Sequence, residues 1–224
     1  MKHYLMVDLG TGNSRVALVD SDGGILGLRT YTNVYHRDSA YEDGQYFLPE
    51  DWAALLLRGC RELCREHPDV QVNAVSAAGA RQSFVLLDGN GRAFLGLPNI
   101  DNRGRAYMAQ VPEHDEIYRL SGKWATEDFG AAKLLGLRMQ HPEQYEAVES
   151  VLSLSEWIAW IFTGRKVMEY TQACESQLYD IGQRSWSQTL CSFYGLRPEF
   201  LPPLQAAGTA VGPILDTYRR ELGM

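Results

Sequence analysis

The sequence is poor in the features that define several large classes of protein. No apolar run approaches membrane-spanning length, and the N-terminus lacks the apolar core of a signal peptide. Positive charge is scarce: 21 Lys and Arg face 28 Asp and Glu, a net charge of −7. That balance argues against a polyanion such as nucleic acid, or an anionic membrane surface, as the partner. There are four cysteines, Cys60, Cys64, Cys174 and Cys191, with no Cys-x-x-Cys pair. They read as reduced core thiols of a cytoplasmic protein. The five histidines are scattered, which argues against a zinc site. No Gly-Lys-Ser/Thr follows a glycine loop, so a P-loop is absent.

What is present is an ordinary globular composition, 45% hydrophobic and 22% charged over 224 residues, enough for one large domain or two small ones. The most informative stretch is LMVDLGTGNSRVALVD, residues 5–20. An apolar run at 4–7 ends in Asp8, a polar turn spans 9–14, and a second run at 16–19 closes at Asp20, the pattern of a hairpin. Gly10 and Gly12 are expected to allow positive φ, which would turn successive N–H groups inward as an anion nest. Thr11, Asn13 and Ser14 add short donors, and Arg15 a bidentate one. Asp8 at the strand end is a candidate ligand for hydrated Mg²⁺. Such a loop suits a nucleotide phosphate; an ordinary polar turn has the same residue types.

A third strand is expected at 25–35, a surface loop at 36–46, and an amphipathic helix at 49–66 with Trp52, Leu55, Leu56, Cys60 and Leu63 on one face. A buried strand is expected at 70–77. Strands at 84–87 and 93–97 flank the turn Asp88-Gly89-Asn90-Gly91. Helices are expected near 103–110, 130–139, 142–147 and 154–162, the last packing through Trp157, Trp160 and Ile161 and stopping at Thr163-Gly164. Strands first, then helices alternating with strands, predict an α/β domain with a mixed sheet covered by helices.

Several motifs, in this order, resemble the N-terminal half of the FGGY carbohydrate kinases, members of the actin/hexokinase/Hsp70 superfamily with a ribonuclease-H-like core. Asp8-Leu9-Gly10-Thr11 with Arg15 is similar to that family's first phosphate motif. SLSEWIAWIFTG at 153–164 is similar to its Trp-containing helix ending in Thr-Gly. Glu169-Tyr170-Thr171-Gln172-Ala173 resembles Asp-x-Thr-Asn-Ala, with Glu and Gln substituted. Trp186, Gly195-Leu196, Leu201-Pro202-Pro203-Leu204, Gly208 and Gly212 follow the family's closing segment.

The resemblance, which covers nearly the whole chain, implies ATP and Mg²⁺ as cofactors and a sugar or polyol as substrate. Arg81-Gln82 resembles the substrate-contacting Arg-Glu of glycerol kinase. Asn99-Ile100-Asp101-Asn102-Arg103 resembles Trp-x-Asp-x-Arg, with Asn at the first position as in the autoinducer-2 kinase. Asp128 occupies a further substrate-contacting position. Arg81 and Asp101 could instead form a structural ion pair beneath a loop. The resemblance places the general base, an Asp after a Gly-Thr-Pro-Val strand, beyond Met224 with the C-terminal nucleotide-binding domain. It therefore implies a fragment inactive alone, whose uncovered face would favour a homodimer. A stand-alone sugar-binding module and an actin-like nucleotide-binding protein are the competing readings.

Overall fold

A computed structural model describes all 224 residues. The main sheet has the order β3-β2-β1-β6, with β1 (His3–Leu9), β2 (Asn13–Asp20) and β3 (Ile25–Thr32) antiparallel in sequence and β6 (Val72–Gly79) parallel to β1. Alternation sets its two faces. Leu5, Val7, Leu9, Val16 and Leu18 are buried, whereas Met6 and Leu28 on the opposite face are exposed. The expected third strand ends three residues early, at Thr32, because Asn33 turns back onto the first hairpin. Residues 36–46 are not a plain loop. They form a ribbon, β4 (His36–Asp38) with β5 (Gly44–Tyr46), too short to show an alternating pattern.

Helix α1 (Pro49–Glu66) starts on a proline and two acids and buries Trp52, Leu56, Cys60 and Leu63 against the sheet. β6 lies two residues later than expected, and of its side chains only Val72 is buried; the strand is open along its outer edge. β7 (Phe84–Leu87), β8 (Ala93–Leu97) and β9 (Ser150–Ser153) form a second sheet in the order β8-β7-β9. The turn between β7 and β8 is fixed as expected, with Asp88 Oδ1 accepting from the N–H groups of Asn90 and Arg92 and Gly91 at φ 75°. β7 is buried on both faces: Phe84 and Leu86 enter one core, Val85 and Leu87 the other.

A 3-10 turn covers Arg105–Gln110 where a helix from 103 was expected, since Arg103 is drawn into the interior. Helices α2 (His114–Ser121), α3 (Gly130–Gln140) and α4 (Pro142–Glu146) follow. Helix α5 (Leu154–Thr163) stops at Gly164, φ 70°. Trp157 is fully buried beside Phe47, so this aromatic face is packing. The remainder is short: β10 (Met168–Glu169), α6 (Tyr170–Cys174), β11 (Tyr179–Asp180), β12 (Ser185–Trp186), α7 (Gln188–Phe193), β13 (Leu204–Gln205) and α8 (Asp216–Leu222). Glu169 caps α6 by accepting the N–H groups of Thr171 and Gln172, a role its longer side chain fills as Asp would. The result is a mixed sheet flanked by helices, the arrangement of the ribonuclease-H-like fold.

Candidate active site

The turn between β1 and β2 is held from behind. Asn33 Nδ2 donates to the carbonyls of Gly10 at 2.7 Å and Thr11 at 3.1 Å, and the Tyr35 hydroxyl donates to Thr11 O. Ser14 is buried, and its hydroxyl is spent on Asn33 Oδ1 at 2.6 Å. Neither Gly10 nor Gly12 has positive φ, so the expected nest of alternating conformations does not form. Gly10 sits in tight space instead: a Cβ there would lie 3.1 Å from Asn13 O. The Gly10 N–H closes the turn onto Asn13 O at 3.0 Å. The N–H groups of Thr11 and Gly12 have no acceptor within the protein, and both residues are exposed. Asp8 and Arg15, cross-strand neighbours, pair at 3.1 Å with both side chains about half exposed.

The second cluster meets this turn through one contact: Asn99 Nδ2 donates to Thr11 Oγ1 at 2.9 Å, joining segments 88 residues apart. The Asn99 N–H is fixed by Ser83 Oγ at 2.9 Å, while Asn99 Oδ1 is buried and has no partner. Arg81 and Gln82 lie on the link from β6 to β7. Arg81 is exposed and forms no ion pair, and Gln82 has φ 60°, an uncommon conformation for a residue other than glycine. Asp128 is exposed and accepts from Thr126 Oγ1 at 3.3 Å.

Asp101 is placed differently from its neighbours. It is fully buried, with Oδ2 at 2.7 Å from Arg103 Nε and Oδ1 accepting the Gln45 N–H at 2.8 Å. Arg103, itself buried, continues to Gln45 O, to Asp38 at 3.6 Å and over the Tyr41 ring. The geometry of Asp101 is therefore that of the ion pair beneath a loop. Burial pushes its carboxyl up, and the adjacent Arg103 and Lys133 charges pull it back. Lys133, a site residue that no motif of the sequence marks, supports the loop from below. Its buried ammonium donates to Asp101 O and reaches Asn99 O at 3.5 Å. Burial lowers it to about 8, against the pull of Asp101 and Asp128. A lone Lys within the apolar run GAAKLLGL of α3 was the available signal. Gly104 and Gly136 let α3 come this close: a Cβ on Gly104 would sit 2.1 Å from Ala132 O, and one on Gly136 2.5 Å from Arg103 O.

The arrangement has two unequal donor sets on one surface. One is an exposed turn with free N–H groups, a guanidinium and a carboxylate, which suits phosphate oxygens and a hydrated cation. The other is a hydrogen-bonded, amide-bearing loop near the exposed Arg81, which suits hydroxyl groups. No cluster of three or more His, Cys, Asp or Glu side chains is arranged to hold a metal ion. Asp8 is a single exposed carboxylate, of the kind that could hold a hydrated Mg²⁺ through water.

The fold is that of the actin-like, ribonuclease-H-like class, a mixed sheet flanked by helices. Residues 3–224 match the N-terminal domain of the FGGY family of carbohydrate kinases, and the chain belongs to that family. It is 40% identical over 224 residues to "Putative sugar kinase YoaC" of Bacillus subtilis, covering all of this chain and 46% of that protein. It is 29% identical over 223 residues to an autoinducer-2 kinase of Salmonella choleraesuis, covering 95% of this chain and 42% of the relative. The chain therefore spans about half the length of the curated relatives it matches. Among solved structures, a xylulose kinase of Brucella ovis superposes with TM-score 0.91 at 20% identity over 99% of this chain and 46% of that one. Plasmodium falciparum glycerol kinase with ADP gives 0.87 at 16% identity, over 99% and 46%. No helix is long and apolar enough to cross a membrane.

Proposed function

We propose that this chain supplies the sugar-side wall and one phosphate loop of an ATP-dependent carbohydrate kinase, which transfers the γ-phosphate of Mg·ATP to a hydroxyl of a sugar or polyol. The observation that carries this reading is the Thr11–Asn99 hydrogen bond, which sets the phosphate-type turn directly against the amide-bearing loop. Phosphoryl transfer needs an acceptor hydroxyl aligned with the transferred group, and an interface of two such donor sets is where that alignment is made.

In this reading Asp8 holds Mg²⁺ through water. Its ion pair with Arg15 is exposed and weak, so the carboxylate exchanges partners at little cost. Thr11 and Gly12 N–H groups, with Asn13 and Arg15, face phosphate oxygens. Arg81, Gln82, Asn99 and Asp128 face the acceptor, with the orphaned Asn99 Oδ1 accepting from a substrate hydroxyl. Asp101 acts through the loop it anchors rather than by touching substrate. By the family resemblance, the general base that deprotonates the hydroxyl is assigned to the family's C-terminal nucleotide-binding half, the partner in this reading. All four cysteines are unpaired, in keeping with a cytoplasmic setting.

The test is a panel of sugars and polyols assayed for acceptor-dependent ADP release. The 224-residue chain alone should show none. The same chain substituted for the matching half of the Bacillus subtilis relative should restore release for at least one acceptor, and Thr11→Val should lower it. Robust release by the chain alone, or silence of the chimera beside an active parent, would overturn the reading.

A further inference from the structure

The loop that carries Asn99 is held in two ways. The Asp101 carboxyl is bound to Arg103 and to the Gln45 N–H. The main-chain carbonyls of Asn99 and Asp101 instead converge on a single group, the Lys133 ammonium. Neither carbonyl accepts another hydrogen bond within the protein. Lys133 is 0% exposed, so bulk water does not compete for those bonds. A charged donor in such a setting bonds a carbonyl about twice as strongly as a neutral one.

The helix beneath is fixed more firmly than the loop. A Cβ on Gly130 would lie 2.7 Å from the Phe84 ring, and one on Gly136 2.5 Å from Arg103 O, so α3 is closely seated near both ends. The loop meets the phosphate-type turn through one bond, Asn99 Nδ2 to Thr11 Oγ1. A weaker hold at Lys133 is therefore taken up by the loop and felt at Thr11. The charged groups acting on the ammonium are Asp101 and Asp128, which favour it, and Arg103, which opposes it. Burial outweighs them and brings the group down to about 8, so its proton leaves under mildly alkaline conditions.

We infer that Lys133 is a positioning residue whose ammonium latches the Asn99 loop against the phosphate-type turn, and that loss of its proton releases the latch. The inference rests on the proposed function only in calling this loop acceptor-facing. Without its proton the amine still donates, but the charge that the two carbonyl dipoles face is gone. Fold and loop then respond in opposite directions. A lysine whose folded value lies below the usual 10.5 opposes folding while it is charged. That penalty is full below about 8 and fades as pH rises toward 10.5. The fold as a whole gains stability over the window in which the loop loosens. A lysine that only filled space would not tie the loop to its own titration.

The test is an NMR titration of the 224-residue chain, without ligand, from about pH 6.5 to about 10.5. Carbon-13 labels are placed at the lysine ε-carbons and at the Thr and Ile methyls. The lysines are Lys2, Lys123, Lys133 and Lys166, and Lys133→Gln assigns the signal. The Lys133 ε-carbon should titrate near pH 8. The methyls of Thr11 and Ile100 should shift with the same midpoint and lose order, while that of Ile25, on β3, stays in place. Lys133→Gln keeps a donor that cannot titrate, so both methyls should hold one position across the range. Lys133→Met removes the donor and should fix them near the parent's alkaline position; should it fail to fold, the Gln variant decides. In urea unfolding the parent should gain on Lys133→Gln between about pH 8 and about 10. A Lys133 signal that titrates with the other lysines, methyls that ignore its midpoint, or methyls that still shift in Lys133→Gln would each overturn it. No phosphoryl transfer enters the measurement, so its failure and that of the kinase reading are separate results.

Discussion

Two acidic residues show how burial, not identity, sets what a carboxyl does here. Asp101 and Arg103 are both buried and pair through Oδ2 and Nε, so Asp101→Ala strips a buried guanidinium of its carboxylate. The variant should lose about 3–5 kcal/mol of stability in denaturant unfolding. Arg81→Ala, at an exposed residue with no ion pair, should change stability by less than about 0.5 kcal/mol. In the chimeric enzyme, however, it should lower kcat/KM by about 2–4 kcal/mol of transition-state stabilisation. Glu156 is the other case. It is buried at the start of α5, hydrogen-bonded to Ser153 and Ser155, and burial raises its carboxyl to about 7. A carboxyl with a folded value above its unfolded one holds its proton more tightly in the native state. Its contribution is full below about 4.5 and is lost as pH rises through about 7. Glu156→Gln should therefore flatten the stability profile over that window. Above pH 8 it should exceed the parent by up to about 3 kcal/mol, measured by urea unfolding at stepped pH.

At the scale of elements, legibility followed length and periodicity. The first hairpin, α1, α3, α5 and the β7–β8 hairpin each carry a repeating apolar pattern or a decisive turn, and each stands within a few residues of its expected place. The β4–β5 ribbon and β9 were not readable. Three- and four-residue strands show no period, and SVLS at 150–153 is buried throughout, so nothing alternates. β6 was read as buried because its residues are small and apolar; what it lacks is a neighbour, which composition does not reveal. For the candidate site, the residue types of the first turn were evident. Its support by Asn33 and Tyr35, the inward turn of Asp101 and the reach of Lys133 depend on contacts between distant segments. Only the Lys in an apolar run gave any local sign.

At the scale of the whole molecule, the two hydrophobic cores share one sheet. β7 sends alternate side chains into each, and β9 does the same, with Val151 on one side and Leu152 on the other. The two cores should consequently melt together. Calorimetry should give one transition, and Leu86→Ala, in the first core, should lower it by about 2–5 kcal/mol without splitting it, as should Val85→Ala, in the second, by a smaller amount. Independent shifts of two resolved transitions would show the cores to be separable.

The position of β9 has a consequence for how the chain comes into being. During synthesis β7 leaves the ribosome well before β9, the strand that completes its free edge and contributes to both cores. Until Val151 and Leu152 emerge, neither half has all of its interior, however much of the first hairpin and α1 has already formed. A nascent chain stalled before β9 exposes apolar surface from both halves at once. The protein is thus committed to late, concerted closure, and its most vulnerable interval is the passage of α2, α3 and α4 through the exit tunnel.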